Sequence, residues 1–124
     1  MYEIFVETHF SAAHRLSKYP GNCSRWHGHN WVVTAFLQAE QLNKLGMAAD
    51  FREVKKILQE LVDELDHRDL GEIPELAARN PTCEVIAHYL YTGLSERLQE
   101  LSPNVKVTRV RVAETPTAGA SYYE

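Results

Sequence analysis

His27-Gly28-His29 sets two imidazoles two positions apart, and His14 lies thirteen positions upstream of His27. Residues i and i+2 of a strand point to the same side, so His27 and His29 can reach one ion together. Gly28 between them lets backbone or a ligand approach closely. A hairpin-like return of the chain would bring His14, expected just past the first strand, alongside. Three neutral imidazoles suit Zn²⁺ and leave a fourth position for water or substrate. A lone histidine is more often a packed or solvated residue than a ligand. A His-x-His pair with a third histidine one loop away is a stronger pattern.

Cys23, four positions before His27, admits two readings. As a fourth ligand it would close the site and make it structural. As a thiolate beside an open site, near a divalent cation and Arg25, it would have a lowered pKa and could act as base or nucleophile. Spacing does not choose between them. Asp66-His67, beside Arg68 and Asp69, falls where a helix is expected to close. A solvated helix end, where the dipole favours histidine, explains the pair without catalysis. Adjacent helical residues do not face each other, so Asp66 orients His67 only if the helix has already ended. Glu114 shares the parity of Val110 and Val112. It is either solvated at the end of a strand or an acceptor for a bidentate partner.

Weaker candidates follow. Cys83 falls in the first turn of a helix, where the N-terminus lowers a thiol pKa, although packing explains it as well. Glu84 suits the same dipole. His88 reads as a surface residue, and nothing in the sequence pairs with His9. No glycine-rich phosphate loop and no Gly-x-Ser-x-Gly pattern is present.

Charge is unevenly placed. From Thr8 to Gln38 there is no Asp or Glu, and that window holds Arg15, Lys18, Arg25, Cys23 and four of the six histidines. Such a stretch inside a chain of formal net charge −4 is a local positive field that favours anions. Arg15, Lys18 and Arg25 are therefore candidate anion contacts. The acidic total argues against coating nucleic acid. The longest uncharged apolar runs, such as Trp31 to Leu37, are far short of the ~20 residues a membrane span needs. Met1-Tyr2-Glu3 begins neither a basic nor an apolar leader, and two cysteines make no disulfide framework, so reduced thiols in a cytoplasmic protein are expected.

The elements that must position these residues can be read from periodicity. Tyr2 to Phe10 and Asn30 to Gln38 read as strands, joined through a loop at Ser17 to Ser24 containing Pro20-Gly21-Asn22. Asp50 can cap a helix, with Glu53 completing a capping-box pattern. Phe51, Val54, Leu58, Leu61, Val62 and Leu65 follow at helical spacing, with an end expected near Asp66 to Gly71. A second helix follows Thr82 with Ile86, Leu90, Leu94, Leu98 and Leu101 in one stripe, and stops at Ser102-Pro103. Asn104 to Glu114 and Ala120 to Tyr123 read as strands, with a turn-forming run at Thr115 to Gly119. The order ββααββ predicts an α+β fold, one domain over residues 1–124 with an antiparallel sheet and two helices on one face. Both outer strands are apolar enough to pair with another chain, so an oligomer is expected.

With these elements in place, the chain resembles the 6-pyruvoyl-tetrahydropterin synthase and 6-carboxy-tetrahydropterin synthase family. The resemblance is carried by Phe10-Ser11-Ala12-Ala13-His14-Arg15-Leu16, Cys23-Ser24-Arg25-Trp26-His27-Gly28-His29-Asn30 and Asp50-Phe51. It continues through Leu65-Asp66-His67, Asn80-Pro81-Thr82-Cys83-Glu84 and Glu114-Thr115-Pro116-Thr117-Ala118-Gly119, in family order over almost the whole chain. The three residues between Cys23 and His27 resemble the carboxy-forming branch of queuosine biosynthesis, since pyruvoyl-forming members usually carry a longer insertion there. Cys83 departs from the serine that the family often has.

The resemblance implies a T-fold whose subunits join sheets into a barrel, as trimers stacked into a hexamer with active sites between subunits. It implies one Zn²⁺ per subunit on His14, His27 and His29, and Cys23 as catalytic base. His67 would form a proton relay with Asp66 and Glu114, while Glu114, Thr82 and Glu84 would bind substrate. The expected substrate is 7,8-dihydroneopterin triphosphate, whose triphosphate Arg15, Lys18 and Arg25 would contact. Two other readings stay open: triphosphate elimination without side-chain cleavage, and a zinc-stabilised binding module without catalysis.

Overall fold

The computed structural model describes residues 1–17, 21 and 25–124. Lys18 and Cys23, with most of the predicted loop, therefore lie outside the described residues. Two long strands, β1 (Tyr2–His14) and β2 (His27–Ala39), pair antiparallel from Tyr2↔Ala39 to His14↔His27. Their ladder extends beyond the predicted strands because Ser11 to His14 and His27 to His29 keep alternating and pairing. His14 is thus the last residue of β1, not a residue beyond it. β3 (Lys106–Thr115) pairs with β2, and β4 (Ala118–Tyr123) pairs with β3, giving the order β1-β2-β3-β4.

One face of the sheet is apolar. Val6, Phe10 and Ala12 of β1, Trp31, Val33, Ala35 and Leu37 of β2, and Val110 and Val112 of β3 are buried there. α1 (Phe51–Asp63) and α3 (Cys83–Leu101) cover it. α1 contributes Val54, Ile57, Leu58, Leu61 and Val62, and α3 contributes Ile86, Leu90, Leu94 and Leu98. Each such side chain is worth roughly 1.5–3 kcal/mol of burial. Two predicted stripe members fall outside the core: Phe51 and Leu101 are exposed, each at a helix end. Both predicted cap residues cap their helices, Asp50 accepting from the Arg52 N–H and Thr82 from the Val85 N–H, each worth about 1 kcal/mol. The predicted capping box with Glu53 is not formed, since Asp50 bonds the second helical N–H rather than the third.

α1 ends earlier than its apolar spacing suggests. Glu64 is its C-cap, and a turn, a 3₁₀ segment (Leu70–Glu72) and the short α2 (Pro74–Ala77) lead to α3. Leu65, Leu70 and Leu76 are fully buried, which ties this irregular segment to the core. Part of it also covers the open edge of β1. Ser11 N–H donates to Asp66 Oδ1 at 2.9 Å, His67 N–H donates to the Ser11 carbonyl, and Ala13 N–H donates to the Arg68 carbonyl at 3.1 Å. The rest of β1 and all of β4 remain sheet edges.

The β3–β4 connection is a two-residue loop, Pro116-Thr117, so only part of the predicted Thr115 to Gly119 run is turn. Gly119 stands opposite Ala113. A Cβ there would lie 2.6 Å from the Val112 carbonyl oxygen and 2.8 Å from the Ala113 Cα. Because those neighbours are backbone, only glycine fits.

Candidate metal centre

The buried face of β1 and β2 changes character at one end. After Phe10 and Ala12 comes His14, and before Trp31 come His29 and His27, all on the same face by strand parity. The register pairs His14 with His27 and Ala12 with His29, so three rings meet on two adjacent strands. Ring centroids are 4.4 Å apart for His14–His27, 4.9 Å for His27–His29 and 5.1 Å for His14–His29. One nitrogen from each ring lies within 4.8 Å of the others.

Backbone carbonyls orient two of the rings. His14 Nδ1 pairs with the Pro81 carbonyl at 2.9 Å, and His27 Nδ1 with the Arg25 carbonyl at 2.8 Å. A carbonyl only accepts, so each Nδ1 carries a proton, and the neutral form of each ring keeps its lone pair at Nε2. Trp31 packs edge-on against His14 and His29 at 4.8 and 5.3 Å, and its indole N–H donates to the Ala12 carbonyl. Phe10 stacks behind it, 5.8 Å away and nearly parallel. The histidines therefore stand on a rigid aromatic floor.

His14 is 2% exposed. Burial pushes its pKa down, against the Pro81 hydrogen bond, with His27 and His29 lowering it further and Glu114 raising it. Burial also lowers His29, opposed by Glu114 and aided by His27. Both rings are thus held neutral, the state a metal requires. The Nε2 atoms of His14 and His29 are buried without a hydrogen-bond partner. Leaving such groups unsatisfied costs ~1–3 kcal/mol apiece, which a cation bound by their lone pairs would remove. Glu114 Oε2 lies 3.7 Å from His14 Nε2 and 3.6 Å from His29 Nε2, too far to hydrogen-bond but close enough to offset a cation's charge. Neutral imidazole donors converging in this way fit Zn²⁺ or another borderline divalent ion.

Access comes from a gap in the sheet. The β1–β2 ladder runs to His14↔His27, but the β2–β3 ladder stops at Val32↔Ala113. Beyond it β2 and β3 part, and a cavity of about 680 Å³ opens, lined by Gly28, His29, Asn30, Glu114 and Thr115 among others. A second hollow, about 530 Å³, joins Ser11, His29 and Asn30 to His67 and Asp69.

Asp66 and His67 lie beyond α1, so the condition under which Asp66 can orient His67 is met. His67 has a positive φ of 55°, and its Nδ1 is 2.9 Å from Asp66 Oδ2. Ser11 N–H holds the other carboxylate oxygen, and this bond, followed by the His67 contact, keeps Asp66 below the usual carboxylate range. The His67 side chain is 81% exposed. Among the described residues, no hydrogen bond or ion pair joins Asp66 or His67 to the three histidines.

The other candidates disperse. Thr82 Oγ1 caps α3, and Glu84 is exposed in its first turn. Arg15 lies over the Trp26 ring at 5.1 Å and lines a smaller cavity of about 210 Å³ with Asp69 and Arg79. Arg25 is exposed, and its backbone serves the site through His27. Cys83 is buried, and burial pushes its thiol up to about 11, so desolvation overrides the helix N-terminus. Sequence reasoning missed the Pro81 carbonyl and Trp31. Pro81 had a signal in the Asn80-Pro81-Thr82 block, whose Asn80 side chain bonds both backbone groups of Ser17.

The chain and its fold match known proteins. The family model for 6-pyruvoyl tetrahydropterin synthase matches residues 3–124. The chain is 33% identical to the 6-carboxy-5,6,7,8-tetrahydropterin synthase of Synechocystis, over 99% of this chain and 94% of that protein. It is 30% identical to the protein of the same description from Bacillus subtilis, over 98% and 84%. The 6-pyruvoyl tetrahydropterin synthase structure from Caenorhabditis elegans superposes with a TM-score of 0.84 at 28% identity, covering 99% of this chain and 95% of that one. The fold is the α+β T-fold of these enzymes. The chain belongs to the 6-pyruvoyl tetrahydropterin synthase family and is an enzyme of the lyase class.

Proposed function

We propose that the protein converts 7,8-dihydroneopterin triphosphate to 6-carboxy-5,6,7,8-tetrahydropterin, releasing acetaldehyde and triphosphate. The observation that carries this reading is the trio of His14, His27 and His29, with two orphaned Nε2 atoms facing Glu114 at the mouth of a cavity. When bound, Zn²⁺ supplies Lewis-acid polarisation of the substrate's side-chain hydroxyl oxygens. Glu114 accepts hydrogen bonds from the amino-pyrimidinone edge of the pterin. Cys23 takes a proton as base. His67, held by Asp66, exchanges protons as general acid–base. Thr82 and Glu84 assist in substrate binding.

Asp66 and His67 sit at a sheet edge with His67 exposed, which supports active sites completed between the subunits of a homo-oligomer, a hexamer of stacked trimers. The whole of 1–124 is then one domain of a larger unit working in the cytoplasm, in queuosine biosynthesis. No helix among the described residues is long and apolar enough to cross a membrane.

The carboxy-forming reaction is supported by the short Cys23–His27 spacing and by the descriptions of the Synechocystis and Bacillus relatives. The Caenorhabditis likeness favours the second reading, 6-pyruvoyl-tetrahydropterin formation without side-chain cleavage. Product analysis on 7,8-dihydroneopterin triphosphate with zinc supplied separates the two. Acetaldehyde in step with substrate consumed is expected; full turnover without acetaldehyde would select the pyruvoyl reaction. Cys23→Ala tests a purely structural zinc site. A base predicts retained zinc with lost turnover, whereas a fourth ligand predicts lost zinc and lost fold.

A further inference from the structure

The cavity at the β2–β3 gap contains a cation that the positive sequence window does not include. Arg111 lines it together with His29 and Glu114. Its position in β3 is fixed by register: Glu7, Thr34 and Arg111 form one row across β1, β2 and β3. The Thr34 hydroxyl donates to Glu7 Oε1 at 3.4 Å. Glu7 lines the same cavity, its carboxylate paired with the Thr34 hydroxyl. Among the described residues Arg111 has no ion pair within 4 Å and no side-chain hydrogen bond. Its neighbour Arg109, by contrast, lies over the Phe36 ring at 4.0 Å.

We infer that Arg111 binds the triphosphate of the substrate. The inference rests on the function proposed above and assigns the anion within that same site. By strand parity Arg111 faces the open side of the sheet and Glu114 the helix-covered side with the histidines. The two share a wall only in the cavity where β2 and β3 part, so the phosphorylated side chain of a pterin held at Glu114 would reach Arg111 through that gap. A guanidinium meets phosphate oxygens in a bidentate fork, which lysine does not reproduce. Thr34 and Asn30 line the same wall with a hydroxyl and an amide. Arg15, one of the three candidates from sequence, lines the separate cavity beside Trp26.

The test compares binding of inorganic triphosphate and of unphosphorylated 7,8-dihydroneopterin to the zinc-loaded protein, its Arg111→Gln and Arg111→Lys variants, and Arg15→Ala. Arg111→Gln is expected to weaken inorganic triphosphate about tenfold or more, to raise KM for the triphosphate substrate in parallel, and to change dihydroneopterin affinity less than about twofold. Arg111→Lys is expected to restore part of the loss. Equal weakening of both ligands, loss of triphosphate binding in Arg15→Ala alone, or a change of oligomeric state in Arg111→Gln would each overturn the assignment. Wild-type protein that binds inorganic triphosphate through Arg111 but does not turn over the pterin triphosphate would instead refute the proposed reaction and leave the anion site standing.

Discussion

The two histidine-bearing regions of this protein are built in opposite ways. His14, His27 and His29 continue the core stripe of a regular ladder, one of them 2% exposed, oriented by carbonyls and backed by Trp31. Asp66 and His67 hang on the strand edge in a turn with a positive φ, and the His67 ring is 81% exposed. The first brings its three imidazoles together within one chain, with one nitrogen of each within 4.8 Å of the others. The second has a fixed Asp–His contact and an outer ring face with nothing against it among the described residues. Binding a metal needs rigid, desolvated donors, whereas passing protons needs a group that reaches its partner and returns. Each region has the environment suited to its proposed task.

Removing a ligand should give the largest effect. His29→Ala leaves two imidazoles, and metal affinity should fall by more than about a hundredfold, because losing a mere supporting contact already costs 10–100-fold. Metal analysis after dialysis should then find no stoichiometric zinc, and turnover should vanish, with the circular dichroism spectrum unchanged. Stoichiometric zinc retained in His29→Ala would mean that the cluster is not the metal centre. Asp66→Asn should act differently. Its amide oxygen can still accept from Ser11 N–H, but the carboxylate charge beside His67 Nδ1 is gone. A fall in kcat of roughly 10²–10⁴-fold with zinc content intact is expected. Parallel loss of zinc would merge the two regions into one structural unit.

Stability should divide along the same line. Trp31 is fully buried, and Trp31→Ala should cost about 3–5 kcal/mol by denaturant unfolding, loosening the floor beneath His14 and His29 as well. His67→Ala removes an exposed ring and should stay within roughly 1 kcal/mol of the parent. Comparable losses for the two would contradict their contrasting burial.

The two regions also differ in how far the sequence revealed them. His27-Gly28-His29 and Glu114 were legible because strand parity is local: two positions along a strand restore the same face. The pairing of His14 with His27 needed the ladder to run past the predicted strand ends, which low β-propensity at Ser11 to Ala13 conceals. Pro81 is 67 residues from His14, and no local pattern encodes a backbone carbonyl's partner. The early end of α1 was hidden by Leu65, which fits helical spacing yet is buried from a turn. The cavity with Arg111 arises where one ladder stops before its neighbour, a property of the assembled sheet.

Acid titration offers the smallest and most selective contrast. In the metal-free protein the folded pKa values of His14 and His29 are lowered by burial. The unfolded chain therefore takes up protons first, and stability falls as pH drops below about 6.5. Asp66 responds in another window. Its carboxyl is held down chiefly by Ser11 N–H and then by His67, so its contribution is complete above the ordinary carboxylate value near 3.8 and is lost as pH falls through the depressed folded value. The carboxylate is 35% exposed and solvent screens it, so the change is modest. Melting temperatures of the parent and Asp66→Asn should run parallel from pH 7 to 5, including the histidine-driven decline that both share. Below about pH 4 the parent should lose its advantage and the two curves converge. Convergence already near pH 6 would mean that Asp66 is coupled to the buried histidines, and that the sheet edge and the metal centre titrate as one.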